Sequence, residues 1–86
     1  MLGVVIAVNA RRRLMLVEVD SGYCSLLTDC EEAARPGVVL EGLLDRPGIE
    51  TVRNINTGGI FSARVEVANL PRRAALLHLV ASGRPS

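Results

Sequence analysis

The chain has 86 residues, which suffice for one compact domain and are too few for two. Its hydrophobic fraction of 49% and charged fraction of 22% are typical of a globular protein and exclude a disordered or fibrous chain. The formal net charge of +1 excludes a strong overall attraction to phosphate or to an anionic membrane, although all ten basic residues are Arg.

Two strands are predicted at the start of the chain. Leu2–Asn9 is short, rich in β-branched residues and followed by a polar turn at residues 9–13. Leu14–Val19 is the second strand, and its side chains alternate between two faces. Glu18 requires water, so the opposite face is predicted to point into the protein. That inner face holds Met15, Val17 and Val19, and the outer face holds Leu14, Leu16 and Glu18.

A hairpin and a bent strand follow. Residues 20–22 (Asp-Ser-Gly) form a reverse turn that joins the second strand to a third, Tyr23–Thr28. Asp29–Pro36 is polar and is predicted to be either a loop or a single helical turn. Val38–Leu44 is predicted as the fourth strand, and Gly42 within it indicates a bulge or a sharp bend.

The second half of the chain contains one clear strand and one helix candidate. Asp45–Gly59 is predicted to be mostly irregular, because Pro, Gly and Asn recur in it. Phe61–Ala68 is the fifth strand. Its alternation places Phe61, Ala63, Val65 and Val67 on one side and Ser62, Arg64 and Glu66 on the other. Leu70–Val80 is predicted as a short helix because Pro71 suits a first helical turn, with a sixth strand over Leu76–Val80 as the alternative.

Together these elements describe one all-β domain, a five-stranded antiparallel OB-type barrel with a short C-terminal helix. Residues 1–69 are predicted to form the OB-like barrel. Residues 70–86 are predicted to be a helical extension and tail of the same domain, and Gly83 and Pro85 are expected to end the helix and leave the tail frayed.

Residues 1–5 (MLGVV) and 17–22 (VEVDSG) resemble the first half of the cold-shock domain, which is an OB-type barrel. Residues 37–42 (GVVLEG) and 53–56 (RNIN) are similar to elements of small bacterial cold-shock-like proteins of unknown function, and the likeness extends over residues 1–67. The resemblance implies the barrel. Cold-shock domains bind single-stranded nucleic acid through exposed aromatic residues on their second and third strands.

Leu14 and Leu16 depart from the cold-shock pattern. They stand where the resemblance places two base-stacking aromatics, and Leu offers no flat π-face to a base. If they face outward, they form an apolar interaction patch, which marks a protein interface more often than a nucleic-acid interface. The alternative is that the C-terminal helix or a second subunit covers them.

The run Arg11, Arg12 and Arg13 is the most concentrated charge in the chain. One hypothesis is that this run binds a nucleic-acid phosphate backbone. The residues that would extend the basic patch are Tyr23, Arg53 and Arg64. The alternative is a solvated turn in which the Arg side chains pair with carboxylates of the same chain. The carboxylates expected in that case are Glu18, Asp20 and Glu50.

The C-terminal segment has two further interpretations. Arg72 and Arg73, followed by the apolar Ala74–Val80, describe an amphipathic membrane-surface or partner helix. The apolar residues continue nearly all the way round the helix, which favours packing on the barrel or in a dimer contact. His78, the only histidine, is interpreted as a packed residue rather than a ligand or catalytic base.

Metal, redox and targeting signals are sparse. Cys24 and Cys30 are interpreted as reduced thiols, with one disulfide as the alternative, because their spacing matches no zinc site. No metal and no cofactor are expected. Leu2–Val8 is too short to span a bilayer and lacks the features of a signal peptide, so a cytoplasmic location without membrane contact is expected.

Catalytic patterns are absent from the sequence. It contains no Ser-His-Asp order, no P-loop and no dinucleotide fingerprint, so the chain is not expected to be an enzyme. Two hypotheses about the function remain. The first is binding of single-stranded RNA or DNA through the Arg-rich turn, which the OB scaffold favours. The second is a protein-interaction or self-assembling module, such as a homodimer, which the near-neutral charge and the scarcity of aromatics favour.

Overall fold

Residues 1–81 are described by a computed structural model, and within them the chain forms six strands, a single 3-10 turn at Ala10–Arg12 and one α-helix. The strands are β1 (Leu2–Asn9), β2 (Leu14–Val19), β3 (Gly22–Leu27), β4 (Val39–Glu41), β5 (Gly48–Asn54) and β6 (Ile60–Leu70), and the helix is α1 (Arg72–Ala81). Neighbouring strands are antiparallel in the order β1-β2-β3-β6-β5-β4, and β4 pairs back to β1. The predicted class, an antiparallel β-barrel with a short C-terminal helix, is confirmed.

The number of strands differs from the prediction, because β5 lies inside the segment expected to be irregular. Gly48–Asn54 pairs with β6 from Gly48 opposite Val65 to Arg53 opposite Ile60. Its alternation is hidden in the sequence, since Glu50 lies on the more buried side while Ile49 is exposed. The long β6 supplies backbone partners for this strand, and that pairing overrides the weak local signal.

The fourth strand is shorter than predicted. It ends at Glu41, and the chain bends at Gly42, where an added Cβ would lie 3.3 Å from the carbonyl oxygen of Thr51. The bend carries Leu44 into the core, fully buried, and leaves Leu43 exposed. The predicted bend at this glycine is therefore confirmed, and the strand predicted beyond it is wrong.

Two clusters of apolar side chains stabilise the fold. The inner cluster fills the barrel and contains the predicted inward face of β2, together with Ala63 and Val65 from the apolar side of β6. Its members include Val5, Met15, Val17, Val19, Leu26, Leu40, Val52, Ala63 and Val65. The outer cluster lies between the barrel and α1, and it holds the other face of β2. The inner face of β2 is therefore buried by barrel closure, and Leu14 and Leu16 of the outer face are buried by the helix, while Glu18 stays exposed.

The C-terminal segment is a helix rather than a sixth strand over Leu76–Val80, as predicted. Asn69 has a left-handed φ of 58° one residue before the end of β6, where Leu70 still pairs with Tyr23 of β3. The Asn69 amide donates to the carbonyl oxygen of Asp45 at 2.9 Å and accepts from the hydroxyl of Ser21 at 2.6 Å. The tail predicted around Gly83 and Pro85 lies outside the described residues. No helix within residues 1–81 is long and apolar enough to cross a membrane.

Candidate interaction surfaces

The face of β2 that the sequence offered as an interaction patch lies beneath α1. Leu14 is 1% exposed and Leu16 is fully buried, and both pack against Ala75 and Leu79 of the helix. Cover by the chain's own helix, the alternative to an open patch, is what the structure contains. The helix packs on the outer face of β2 and β3.

The polar turn between β1 and β2 fastens the C-terminal end of α1. Asn9 donates its side-chain amide to the carbonyl oxygen of Leu79 at 2.9 Å, and Arg12 donates to that of His78 at 3.5 Å. Both carbonyls lie in the C-terminal half of α1. A cation at this end is also favoured by the helix macrodipole. Arg12 thus has a structural role.

Three of the remaining predicted phosphate-binding residues pair with carboxylates. Arg13 bonds Asp29 at 2.8 Å. Arg53 bonds Glu41 at 2.9 Å, and Arg64 lies 3.7 Å from Glu66. Pairing was the expected alternative for the arginine run alone, and Arg13 pairs with a carboxylate other than the three expected. All of these side chains are exposed by at least a third, so each pair contributes at most about 1 kcal/mol to stability.

The predicted phosphate-binding residues do not converge on one surface. Arg13 and Arg64 line a shared shallow depression together with Ile49. Tyr23 packs against the outer cluster beneath α1, and its hydroxyl donates to Glu18 at 3.4 Å. Arg53 lies on β5 at the pair with Ile60, away from that depression. Arg11 is exposed in the turn. The structure brings together two residues of the predicted patch.

The thiols and the histidine form no reactive constellation. Cys24 lies in the inner cluster, where burial raises the pKa of its thiol to about 12, so it stays protonated at neutral pH. Cys30 is half-buried, and the two thiols are unpaired. Among residues 1–81, no group of three or more His, Cys, Asp or Glu side chains could hold a metal ion. His78 is half-buried on α1.

The side of α1 that faces away from the barrel is apolar. Leu76, Leu77 and Val80 are 37%, 56% and 68% exposed, and their spacing places them on one side of the helix. Together with Arg72 and Arg73 they line a depression of about 420 Å³. In the sequence, apolar residues continue nearly all the way round this helix. Because only one side of the helix can pack on the barrel, the pattern indicates that an apolar side remains exposed. We call these five residues the helix surface.

The two arginines of the helix surface stand where positive charge is unfavourable. Arg72 and Arg73 occupy the first turn of α1, which contains no acidic residue. The positive end of the helix macrodipole lies there, so each arginine costs roughly 0.3–1 kcal/mol relative to an acidic residue. The pair therefore does not serve the stability of the helix.

A second exposed apolar surface lies on β1, with acidic residues beside it. Leu2 is 58% exposed and Val4 is 41% exposed, and both line a groove of about 480 Å³ with Val39 of β4. The carboxylates of Glu18 and Asp20 line the same groove. We call these five residues the β1 groove. Sequence reasoning missed it, because the strand pattern alone does not tell which end of β1 the helix leaves uncovered.

No family model, no curated protein and no solved structure matches this chain.

Proposed function

We propose that this chain is a self-assembling protein-interaction module that associates through the helix surface. The observation that carries the proposal is the exposed apolar side of α1, formed by Leu76, Leu77 and Val80. Each aliphatic side chain that moves from water into a contact contributes up to about 1.5–3 kcal/mol. A domain of 86 residues also buries a small core, so association adds to the stability of its fold.

Support for the nucleic-acid hypothesis is weaker. The outer face of β2 lies beneath the helix, and Arg13, Arg53 and Arg64 already have carboxylate partners. Phosphate binding would have to displace those carboxylates. We expect a fluorescence-polarisation titration with short single-stranded RNA and DNA to stay flat at low and at high salt. Binding that weakens with salt and is lost when Arg11, Arg12 and Arg13 become Ala would favour the nucleic-acid function instead.

The proposal is tested by the mass of the particle in solution. We expect the wild-type chain, in light scattering after size exclusion, to form concentration-dependent species heavier than the 9.2 kDa monomer. Leu77→Asp places a charge on the helix surface and should leave only the monomer. Ile60→Asp is the matched control, because Ile60 is 68% exposed on β6 and lies outside the helix surface. A wild-type chain that remains monomeric at high concentration would end the proposal.

A further inference from the structure

We infer that the helix surface of one copy docks into the β1 groove of the next copy, so that copies join head to tail. This inference rests on the proposed function and adds the partner surface. The two surfaces have complementary chemistry. The helix surface combines apolar side chains with Arg72 and Arg73, and the β1 groove combines Leu2 and Val4 with two carboxylates.

The charges favour this contact over a symmetric contact between two helix surfaces. Residues 72–81 contain no Asp and no Glu, so two facing copies of α1 would bring four arginines together without a carboxylate from either helix. In the head-to-tail contact, Arg72 and Arg73 meet Glu18 and Asp20. Arg forms paired hydrogen bonds with a carboxylate and loses less hydration than Lys when it does so.

Glu18 and Asp20 are available for such a contact. Both residues are exposed. Glu18 lies near the end of β2, and Asp20 lies in the turn of the β2–β3 hairpin. Among residues 1–81, the Glu18 side chain accepts only a long hydrogen bond from Tyr23, at 3.4 Å, whereas the nearby Glu41 is paired with Arg53. Within the described part of the chain, neither carboxylate of the groove belongs to an ion pair that an incoming arginine would have to break.

The two surfaces share no residue, so one copy can use both at once. A contact between two different surfaces of the same chain is heterologous. Such a contact closes into a ring when the rotation between copies closes, and otherwise it continues as a filament. A ring of two copies is a dimer with two such contacts, whereas any other closure or a filament gives assemblies larger than a dimer, which a symmetric helix contact alone does not produce.

Two variants that each disable one surface provide the test. Leu77→Asp removes the helix surface and leaves the groove, while Val4→Arg removes the groove and leaves the helix surface. Each variant alone should be a monomer of 9.2 kDa. An equimolar mixture should form a heterodimer of twice that mass and nothing larger, because only one intact pair of surfaces remains. A mixture that stays monomeric overturns the inference.

Two outcomes separate this inference from the proposed function. If Val4→Arg assembles as the wild type does while Leu77→Asp is monomeric, the proposed function stands and the groove is not the partner surface. If the wild-type chain itself is monomeric, both fail.

An exchange of charges gives a second test that spares the apolar residues. Glu18→Arg with Asp20→Arg, and Arg72→Glu with Arg73→Glu, change exposed positions only, so the fold is retained; circular dichroism checks this. Each double variant alone should associate at least ~10-fold more weakly than the wild type. The chain that carries all four substitutions should regain association. If the fourfold variant associates no more tightly than either double variant, the arginines and carboxylates do not meet and the inference is wrong.

Discussion

The turn at residues 10–13 and the start of α1 both carry consecutive arginines, yet the two regions use them differently. In the turn, Arg12 donates to the last turn of the helix and Arg13 pairs with Asp29. At the start of α1, Arg72 and Arg73 stand at the end of the helix where the macrodipole disfavours cations. The position of a charge relative to a helix end, more than its clustering in the sequence, separates arginines that hold the helix from those of the surface that we propose meets a partner.

The largest effect is expected where the helix covers the barrel. Leu16→Ala should lower the free energy of unfolding by about 2–5 kcal/mol, because it leaves a cavity in the outer cluster. Val80→Ala removes an exposed side chain on the other side of α1 and should change stability by no more than ~0.5 kcal/mol. Urea unfolding in the Leu77→Asp background measures both without a contribution from association. Equal effects would mean that α1 does not pack on β2.

A smaller effect, with opposite signs in two assays, is expected for Arg72→Glu with Arg73→Glu. The monomer should gain about 1 kcal/mol of stability, since acidic residues suit the first turn of a helix. Association of the otherwise wild-type chain should be weakened, because Glu18 and Asp20 would meet like charges. Unfolding in the Leu77→Asp background and light scattering measure the two effects. A loss of stability together with unchanged association would break the comparison between the two arginine regions.

The fastening of α1 predicts an effect of similar size. Asn9→Ala removes the hydrogen bond to the carbonyl oxygen of Leu79 and should cost about 1 kcal/mol. The amides of α1 should then exchange with deuterium faster than those of β5 and β6. Arg11→Ala is the control, since Arg11 is exposed in the same turn, and it should leave the exchange of α1 unchanged. If the amides of α1 exchange equally fast in the two variants, the hydrogen bond of Asn9 does not hold the end of the helix.

The smallest effect is expected at the ion pair of the turn. Arg13→Ala breaks the exposed pair with Asp29 and should cost less than about 1 kcal/mol. Its association should match the wild type, because Arg13 belongs to neither the helix surface nor the β1 groove. Urea unfolding and light scattering measure both properties. A large loss of association would show that the turn takes part in the contact.

Much of the fold could be predicted where alternation and turn residues are local. The inward face of β2, the hairpin at residues 20–22 and the helix after Pro71 all follow from short-range patterns. The strand β5 could not be predicted, because Glu50 lies on its more buried side and the pairing with β6 supplies the order. Local pattern thus identifies strands that alternate in polarity and misses one that depends on its neighbour.

The candidate surfaces were predictable only in part. The apolar character of residues 74–80 on all sides indicates that a second surface remains after the helix packs. The exposure of Leu2 and Val4 depends on which parts of the neighbouring strands the helix covers. No short-range pattern in the sequence contains that information. The carboxylates of Glu18 and Asp20 join those residues only because β1 and β2 are paired.

The most direct measurement is a photo-crosslink from the centre of the helix surface. A photoreactive amino acid replaces Leu77 in otherwise wild-type chains, and mixed heavy and light isotope labels identify crosslinks between copies. After trypsin digestion, we expect the photoreactive residue to be crosslinked to the peptide of residues 1–11 of another copy, which contains Leu2 and Val4. Crosslinks that join α1 only to α1 of another copy, or the absence of any crosslink between copies, would contradict head-to-tail assembly.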